Sequence, residues 1–335
     1  MTTYAFCLGI NQYKPPIGTL RCAEQDAREL SAVFRHRLNF EAEYLEERSA
    51  ADVLDRIEGL EARLQPGDQF LFYFSGHGKT HGNDHYFLLP SCRYESLERG
   101  YAGTGELSWN VLKRQTERPK WKGVHRLFIF DACRSPLLPP KGADERPTFD
   151  GAYLLRDVLP GKSHELAASP LALINSCGLG GFAMELPGSS GHGVFTAALL
   201  ERLKAQAQAA ESELQIDASF VEALGQRMAA LSAAQGLAEM AQTPTWKGEA
   251  LRLPLRSAVG PSAAASARDK RLWDLACAKD SAEAYEQFVR EAPDQSSFVE
   301  QAMARIKEQR EAIKERLAVS YTHLRAHETK ANLVC

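Results

Sequence analysis

The sequence predicts an α/β protein built on a mostly parallel sheet. Apolar runs too short for buried helices alternate along the chain with longer segments whose apolar residues recur at helical spacing. This alternation is typical of a parallel sheet with helices on both faces. Two of the runs, 70–74 and 127–130, are followed closely by reactive side chains.

Composition and charge limit the class of protein. A chain of 335 residues with 44% hydrophobic and 25% charged residues is ordinary globular material, long enough for a large domain and a smaller one. The net charge of -3 gives no basic excess for nucleic acid. Neither a signal peptide nor a run of transmembrane length is evident, so we expect a cytoplasmic protein without a membrane partner. The 7 cysteines, an odd number, favour free thiols over a disulfide scaffold.

The first part of the chain contains three predicted strands joined by helices. In chain order these are a strand at 4–10, a helix at 23–38, a strand at 41–46, a helix capped by Ser49 and ended by Pro66, and a strand from Asp68. The strand from Asp68 is rich in aromatic residues and stops at the segment Ser-Gly-His-Gly, which is typical of a fully buried strand.

The middle of the chain continues the same alternation. The predicted elements are a hairpin or edge segment at 86–90, a helix at 107–115 begun at Ser108, strands at 125–131 and 170–177, and helices at 193–206 and 219–241. Between the two strands, residues 134–169 are rich in proline, glycine and charge. Such a long irregular insertion is usually functional or disordered.

Composition also divides the chain into domains. We assign residues 1–256 to the main domain, 257–269 to an Ala/Ser-rich linker and 270–318 to a small helical hairpin unit. Residues 319–335 change character abruptly and resemble a translated adapter sequence, so we expect a non-native tail. Its potentially reactive side chains are left out of the site, namely His323, His327 and Cys335.

A histidine and a cysteine follow two of the predicted strands. His77 lies between Gly76 and Gly78, and Cys133 follows the strand at 125–131. Carboxyl ends of parallel strands share one sheet edge, where open α/β sheets carry their chemistry. A thiol that passes its proton to an imidazole is a nucleophile, and the amides of Gly78 and Cys133 are candidate oxyanion donors. The plainer alternative is a packing cysteine and a loop histidine.

The motifs around this pair resemble those of the caspase and metacaspase clan of cysteine peptidases. They are YFSGHG at 73–78 and DACRS at 131–135, comparable with the known caspase signature of a cysteine with a histidine about 50 residues upstream. Residues 8–13 (LGINQY), 20–27 and 191–196 (GHGVFT) are similar to further segments of bacterial members.

The resemblance implies a fold and a mechanism. The fold would be a caspase-like αβα sandwich with a mostly parallel central sheet, plus the small C-terminal helical unit. Cys133 would be the nucleophile and His77 the proton shuttle, without a metal or another cofactor. Calcium activation stays open, and by resemblance we expect a monomer.

The resemblance also predicts substrate class. Asp131 stands where caspases carry glutamine, and an anionic wall favours Arg or Lys at P1. Metacaspases, which cut after basic residues, resemble this chain here, and their second pocket aspartate falls on Asp26. Ser75 matches another pocket position. Gln25 departs from the metacaspase pattern, as does the Cys22-Ala23 pair. The alternative interpretation of Asp26 is a solvated helix charge, and that of Asp131 is a strand-end cap.

The sequence contains three other candidate sites. His77, His81 and His85 recur every four residues, as metal ligands on a helix would, but the intervening glycines argue against a helix. Cys177 and His192 form a possible second dyad, although a cleft wall is the favoured role for Cys177. Residues 178–181 are glycine-rich but lack the ending of a phosphate-binding loop.

The sequence therefore predicts a cysteine endopeptidase that cleaves proteins or peptides after Arg or Lys. Self-cleavage is predicted in the 134–169 loop, which contains Lys141, Arg146, Arg156 and Lys162. One alternative is a catalytically silent caspase-like module whose C-terminal helices recruit a protein partner. Another is a separase-like protease of a defence system.

Overall fold

The computed structural model describes most of the chain. The described residues are 1–15, 17–46, 49–81, 84–92, 105–134, 170–186, 191–208, 213–237, 242–255, 263–292, 296, 298–299, 301–310 and 312. The chain divides into two compact units, Met1–Ser257 and Ala258–Cys335. Nearly all of the predicted processing loop at 134–169 lies outside the described residues, as does the predicted tail at 319–335.

The strands of the first unit form one large sheet and two small ones. In chain order they are β1 (Thr3–Gly9), β2 (Glu41–Tyr44), β3 (Gln69–Gly76), β4 (Gly78–His81), β5 (Asp84–Leu88), β6 (Glu106–Ser108), β7 (His125–Ala132), β8 (Leu171–Asn175), β9 (Glu213–Ile216), β10 (Thr245–Gly248) and β11 (Leu251–Pro254). The large sheet has the order β10-β8-β7-β3-β1-β2. Its strands are parallel except β10, which pairs antiparallel with β8 at one edge. The predicted mostly parallel sheet is confirmed.

Helices pack on both faces of the large sheet. In chain order the helices are α1 (Ala23–His36), α2 (Ala50–Leu60), α3 (Trp109–Gln115), α4 (Val194–Gln208), α5 (Ala218–Ala234), α6 (Ala263–Lys279) and α7 (Ala282–Glu291). Successive side chains of a strand point to opposite faces. In β3, Phe72 and Phe74 therefore join the apolar cluster of Val53 from α2, whereas Tyr73 joins that of Leu30 from α1. This double burial explains the uninterrupted apolar run and confirms the predicted sandwich.

A close contact between β1 and α1 positions the first turn of that helix. A β-carbon at Gly9 would lie 2.1 Å from the carbonyl oxygen of Ala23, so only glycine permits the contact. The side chain of Asn11 accepts the Glu24 N–H at 3.2 Å, which satisfies an amide at the start of the helix. Both contacts hold the first turn, which carries Asp26, at the carboxyl end of β1.

A small antiparallel sheet of β4, β5 and β6 follows β3. It begins at Gly78, directly after His77, and Phe87 of β5 packs against Phe74 and Phe130 of the large sheet. Its interior holds an ion pair between Lys79 and Glu106 at 2.7 Å, both almost fully buried. The sequence predicted a hairpin or an edge segment at 86–90, and the structure has the hairpin, in which β5 pairs antiparallel with β4 and with β6. The separate strands β4 and β6 were not predicted, because three or four residues are too few to show a clear period of two.

The second unit is helical, as predicted. The ring of Trp273 in α6 packs against Tyr285 and Phe288 of α7, with ring centroids 5.7 and 5.4 Å away. Phe298 stacks on the same ring at 5.4 Å. Residues 301–310 form a further helical segment.

Some predicted boundaries are wrong. The helix α6 begins at Ala263, inside the segment 257–269 predicted as a linker, because alanine has the highest intrinsic helix propensity. The helix α5 ends at Ala234, earlier than predicted, where Gly236 adopts a positive φ of 72°. The short strands β9, β10 and β11 were not predicted.

Two further properties concern the described ranges alone. None of the helices there combines the length and apolar character that a bilayer crossing requires. None of the cysteines in those ranges is joined in a disulfide.

Candidate active site

Two neighbouring parallel strands bring the predicted pair to one edge of the sheet. Ser75 of β3 lies opposite Asp131 of β7, and Gly76 lies opposite Ala132. His77 and Cys133 each come shortly after these positions, with the same offset in sequence. Both side chains line one open cleft of about 80 Å³. The thiol and the imidazole therefore share a site.

The His77 ring is oriented by the loop that follows β1. Its Nε2 lies 2.8 Å from the carbonyl oxygen of Gly18, and because a carbonyl only accepts, Nε2 carries the proton. The Tyr13 hydroxyl accepts the His77 backbone N–H at 2.9 Å, and the two rings pack with centroids 4.7 Å apart. This tautomer leaves Nδ1 as the basic nitrogen.

The His77 imidazole is neutral at neutral pH. Burial lowers its pKa below the ordinary value, although the Gly18 carbonyl and the charge of Glu185 act in the opposite direction. A neutral imidazole is the form that accepts a proton from a nucleophile.

Cys133 is a partly buried thiol. Burial raises its pKa, and the charge of Asp131 raises it further. Its Sγ lies 4.0 Å from the carbonyl oxygen of Ala183. Of the hydrogen bonds among described residues, none joins this Sγ to the His77 ring. The resting site thus holds a neutral thiol and a neutral imidazole, and catalytic hydrogen bonds of this kind often tighten only when substrate binds.

The Gly78 amide is directed away from its hairpin partner. The Leu88 N–H donates to the His77 carbonyl at 2.9 Å, and bonded and non-bonded pairs alternate along an antiparallel ladder, so the Gly78 N–H points away from β5. A β-carbon at Gly78 would lie 2.7 Å from the Cys133 carbonyl oxygen. Gly78 is therefore adjacent to the Cys133 backbone, where two amides can converge on an oxyanion.

Three acidic side chains line the cleft. Asp26 from α1, Asp131 from β7 and Glu185 border it together with Ser75. Asp26 is 1% exposed and Asp131 is 5% exposed. A solvated helix charge is therefore the wrong interpretation of Asp26. The cleft offers carboxylates to which a guanidinium or ammonium group can donate hydrogen bonds.

Asp131 is anchored to the helix α4. Its Oδ2 accepts from the Thr196 hydroxyl at 2.7 Å, and that hydroxyl lies 2.5 Å from the Tyr73 hydroxyl. Burial raises the pKa of Asp131 to about 6, and the hydrogen bond from Thr196 acts to lower it. The side chain thus links strand to helix and is no simple strand-end cap.

Asp26 is held by the segment that precedes α4. Its Oδ1 lies 2.6 Å from His192 Nδ1, and its Oδ2 accepts the Gly193 N–H at 3.0 Å. A β-carbon at Gly193 would lie 3.0 Å from Asp131 Oδ2 and 3.2 Å from Asp26 Oδ2, so Gly193 lies between the two carboxyl groups. Burial raises the pKa of Asp26 to about 7, against the lowering effect of His192.

Glu185 is a cleft residue that sequence reasoning missed. Its carboxylate accepts the backbone N–H groups of Arg21 and Cys22, each at 2.7 Å, and the Arg21 Nε at 3.1 Å. These partners lie far away in sequence, so no local pattern indicates them. Gly18 was missed for another reason, because it acts through its backbone carbonyl, which every residue type possesses.

The alternative metal site lacks the helix that it needs. Residues 78–81 and 84–88 form the strands β4 and β5, so His77, His81 and His85 have no common helical face. In the part of the chain that the structure describes, no group of three His, Cys, Asp or Glu residues is arranged to hold a metal ion.

The other two alternatives are not formed either. Both ring nitrogens of His192 face carboxylates, while Cys177 Sγ donates to the Ala132 carbonyl at 3.4 Å, so this pair is no second dyad. In the glycine-rich segment 178–181, Gly180 donates its N–H to Arg134 and Gly181 to Gly178. These amides are used within the protein and do not cradle a phosphate.

Comparisons with known proteins point to one family. The model of the caspase domain, peptidase family C14, matches residues 2–255. A crystal structure of a Geobacter sulfurreducens protein is similar with a TM-score of 0.50 and 20% identity, over 74% of this chain and 93% of that chain. Caspase-1 from Spodoptera frugiperda follows with a TM-score of 0.46 and 17% identity, over 73% and 85%. No curated protein sequence matches the chain.

The two kinds of comparison carry different weight. At 20% identity the Geobacter structure supports the fold alone, which is the sandwich described above. The family match spans most of the chain and includes both strands that lead to His77 and Cys133. The chain therefore belongs to the caspase-domain family of cysteine peptidases.

Proposed function

We propose that the protein is a cysteine endopeptidase that cleaves peptide bonds after Arg or Lys. The observation that supports this most directly is the cleft that joins His77 and Cys133 to the buried carboxyl groups of Asp26 and Asp131. Two neighbouring carboxylates repel each other, and a cationic side chain between them offsets that repulsion. Ser75 adds a hydroxyl to the same P1 pocket.

The proposed chemistry uses the orientation of the His77 ring, whose Nδ1 is the basic nitrogen. Cys133 Sγ attacks the scissile carbonyl carbon as its proton passes to His77 Nδ1, while the Gly18 carbonyl holds the ring. His77 then gives this proton to the leaving amine, and water activated by His77 hydrolyses the thioester. The amides of Gly78 and Cys133 donate to the oxyanion in both steps.

The test is hydrolysis of fluorogenic peptides that differ only at P1. We expect Arg and Lys peptides to exceed Asp and Ala peptides by about 100-fold or more in kcat/KM. The Cys133→Ala variant should be inactive, and Asp131→Asn should raise KM for the Arg peptide by about tenfold, because a charge-assisted hydrogen bond is lost. The control is Glu201→Gln, since Glu201 pairs with Arg227 on the surface, away from the cleft.

Two outcomes would contradict the proposal. A preference for Asp over Arg would refute the pocket assignment, and activity of the Cys133→Ala variant would refute the nucleophile. A separase-like protease shares the dyad, and a second set of peptides that differ at the positions around P1 tests this alternative.

A silent caspase-like module is the second candidate. The observation that favours it is the protonated resting thiol without a hydrogen bond to His77. A thiol-directed peptide probe with Arg at P1 should label Cys133 of the wild-type protein and leave Cys133→Ala unlabelled. A folded wild-type protein that resists labelling would support the silent module, in which the helical unit would bind a protein partner.

We also propose self-cleavage in the 134–169 loop. This loop offers basic residues at Lys141, Arg146, Arg156 and Lys162, and it follows the proposed nucleophile directly. Incubation of the purified protein should give two fragments whose masses place the cut after one of these residues. The Cys133→Ala protein is the control, and a wild-type protein that is active yet stays intact would contradict this prediction.

A further inference from the structure

His192 lies next to the cleft and contacts one of its acidic residues. Its Nδ1 is 2.6 Å from Asp26 Oδ1, and its Nε2 is 3.2 Å from Glu29 Oε2. A carboxylate only accepts hydrogen bonds, so both contacts are hydrogen bonds when both ring nitrogens carry protons. The geometry therefore suits an imidazolium ion held between two carboxylates.

The second carboxylate is itself fixed in place. Glu29 accepts from the Lys204 ammonium group at 2.8 Å, which ties α1 to α4. The side chains of His192 and Glu29 are each 16% exposed, and that of Asp26 is 2% exposed. Charges this far from solvent are only weakly screened by salt.

A pocket for a cationic side chain needs Asp26 in its charged form. Its position opposes this, because burial disfavours the anion and Asp131 adds a like charge on the other side of Gly193. Hydrogen bonds from a cation favour the anion. His192 is placed to provide that cation from outside the cleft.

We propose that His192 is a positioning residue of the P1 pocket, an imidazolium ion that orients Asp26 and keeps it charged for a basic substrate side chain. This inference rests on the proposed function, because a pocket for neutral residues would need no such anion. His192 does not touch the substrate in this scheme and acts only through Asp26.

The electrostatic surroundings agree with a cation at neutral pH. Burial lowers the pKa of His192, but the hydrogen bonds and charges of Asp26 and Glu29 outweigh burial and raise that pKa to about 9. The charged groups around this site come from four segments of the chain, namely Asp26 and Glu29 of α1, Lys204 of α4, Asp131 of β7 and Glu185 beside the cleft.

The test is the variant His192→Gln, measured with an Arg peptide across pH. At about pH 7 we expect KM to rise about tenfold or more with kcat changed by less than about twofold, because binding and not chemistry is affected. The KM penalty should shrink as pH rises to about 9, since Asp26 then ionises without help. The companion variant Glu29→Gln should show a smaller change in the same direction.

Three results would overturn the inference. These are a KM equal to that of the wild type, a KM penalty that does not depend on pH, or a loss confined to kcat. Failure of the proposed function is distinguishable, because then the wild-type protein itself would show no preference for Arg.

A second measurement decides the question if His192→Gln does not fold by circular dichroism. Nitrogen NMR of the Cys133→Ala protein at about pH 7 reports the protonation of each ring nitrogen directly. We expect His192 to show two protonated nitrogens. A neutral His192 ring would overturn the inference.

Discussion

At the scale of single residues, the proposed base is oriented by the main chain. The Gly18 carbonyl holds His77 Nε2, and the Tyr13 hydroxyl holds the His77 backbone N–H. Carboxylates, which orient the catalytic histidine in many other enzymes, instead line the cleft at Asp26 and Asp131. Acidic residues near this histidine therefore serve substrate recognition in the proposed mechanism.

The pKa shifts of the pocket aspartates and of the proposed base predict that pH affects KM and kcat over different ranges. Burial raises the pKa of Asp131 to about 6 and that of Asp26 to about 7, whereas burial lowers the pKa of His77. As pH falls through neutrality, Asp26 gains a proton while His77, whose pKa lies below its ordinary value, is still neutral. KM for an Arg peptide should therefore rise at a higher pH than the pH at which kcat begins to fall.

This prediction is checked by separate pH profiles of kcat and KM. A cleaved peptide with an uncharged P1 residue is the control, because its KM should not rise over the same range. A KM for the Arg peptide that stays constant from about pH 8 to about pH 5 would contradict the role of the two aspartates.

At the scale of elements, the contact of β1 with α1 determines where Asp26 lies. Gly9→Ala would place a methyl group against the Ala23 carbonyl and force the strand end and the helix apart. We expect a loss of about 1–3 kcal/mol in the free energy of unfolding, as for other overpacked sites. Urea unfolding measures this change, and kcat/KM for an Arg peptide should fall with it.

The matched control is Gly59→Ala in the helix α2. A β-carbon there meets no atom within 4 Å. Because alanine favours a helix over glycine, this variant should gain about 0.5–1 kcal/mol. Equal stabilities of the two variants would contradict the steric account of Gly9.

The register of β3 and β7 determines how the two strand ends at the cleft are aligned. Ser75 opposite Asp131 aligns the two strand ends, and a slip of one residue would turn every side chain to the other face of the sheet. The two faces carry different side chains, with Phe74 and Phe130 in one apolar cluster and Tyr73 and Ile129 in the other, so a slip would put each set into a cluster shaped for the other. The same register gives the cleft His77 from one strand and Cys133 from the other.

At the scale of the whole molecule, the residues of the cleft all lie in the unit Met1–Ser257. The family match ends at residue 255, close to the end of this unit. We therefore expect a protein shortened to residues 1–257 to keep kcat/KM for an Arg peptide within about threefold of the full chain, since a compact unit with its own core can fold alone.

The full chain and its Cys133→Ala variant are the references for this measurement. Circular dichroism first shows that the shortened protein is folded. A folded but inactive shortened protein would show that the helical unit contributes to catalysis.

Local sequence patterns were sufficient to predict the parallel sheet and the place of the two reactive residues on it. The apolar runs of β3 and β7, with the motifs that end them, predicted a parallel sheet with His77 and Cys133 at one edge. An apolar strand and the reactive residue that follows it lie within a few positions of each other in the chain, so a single sequence is enough to recognise them. The strands β9, β10 and β11 were not predicted, because each has only four residues, which is too few for a period of two to show.

Only the tertiary structure decided how the acidic pocket is assembled. Asp26 meets His192 and Gly193, and Glu185 meets Arg21 and Cys22, across large separations in sequence. Such contacts depend on how strands align and helices pack, which local propensity does not specify. The sequence by itself predicted a nucleophile, a base and two pocket aspartates, and the packing of α1 and α4 on the sheet determined that these residues share one cleft.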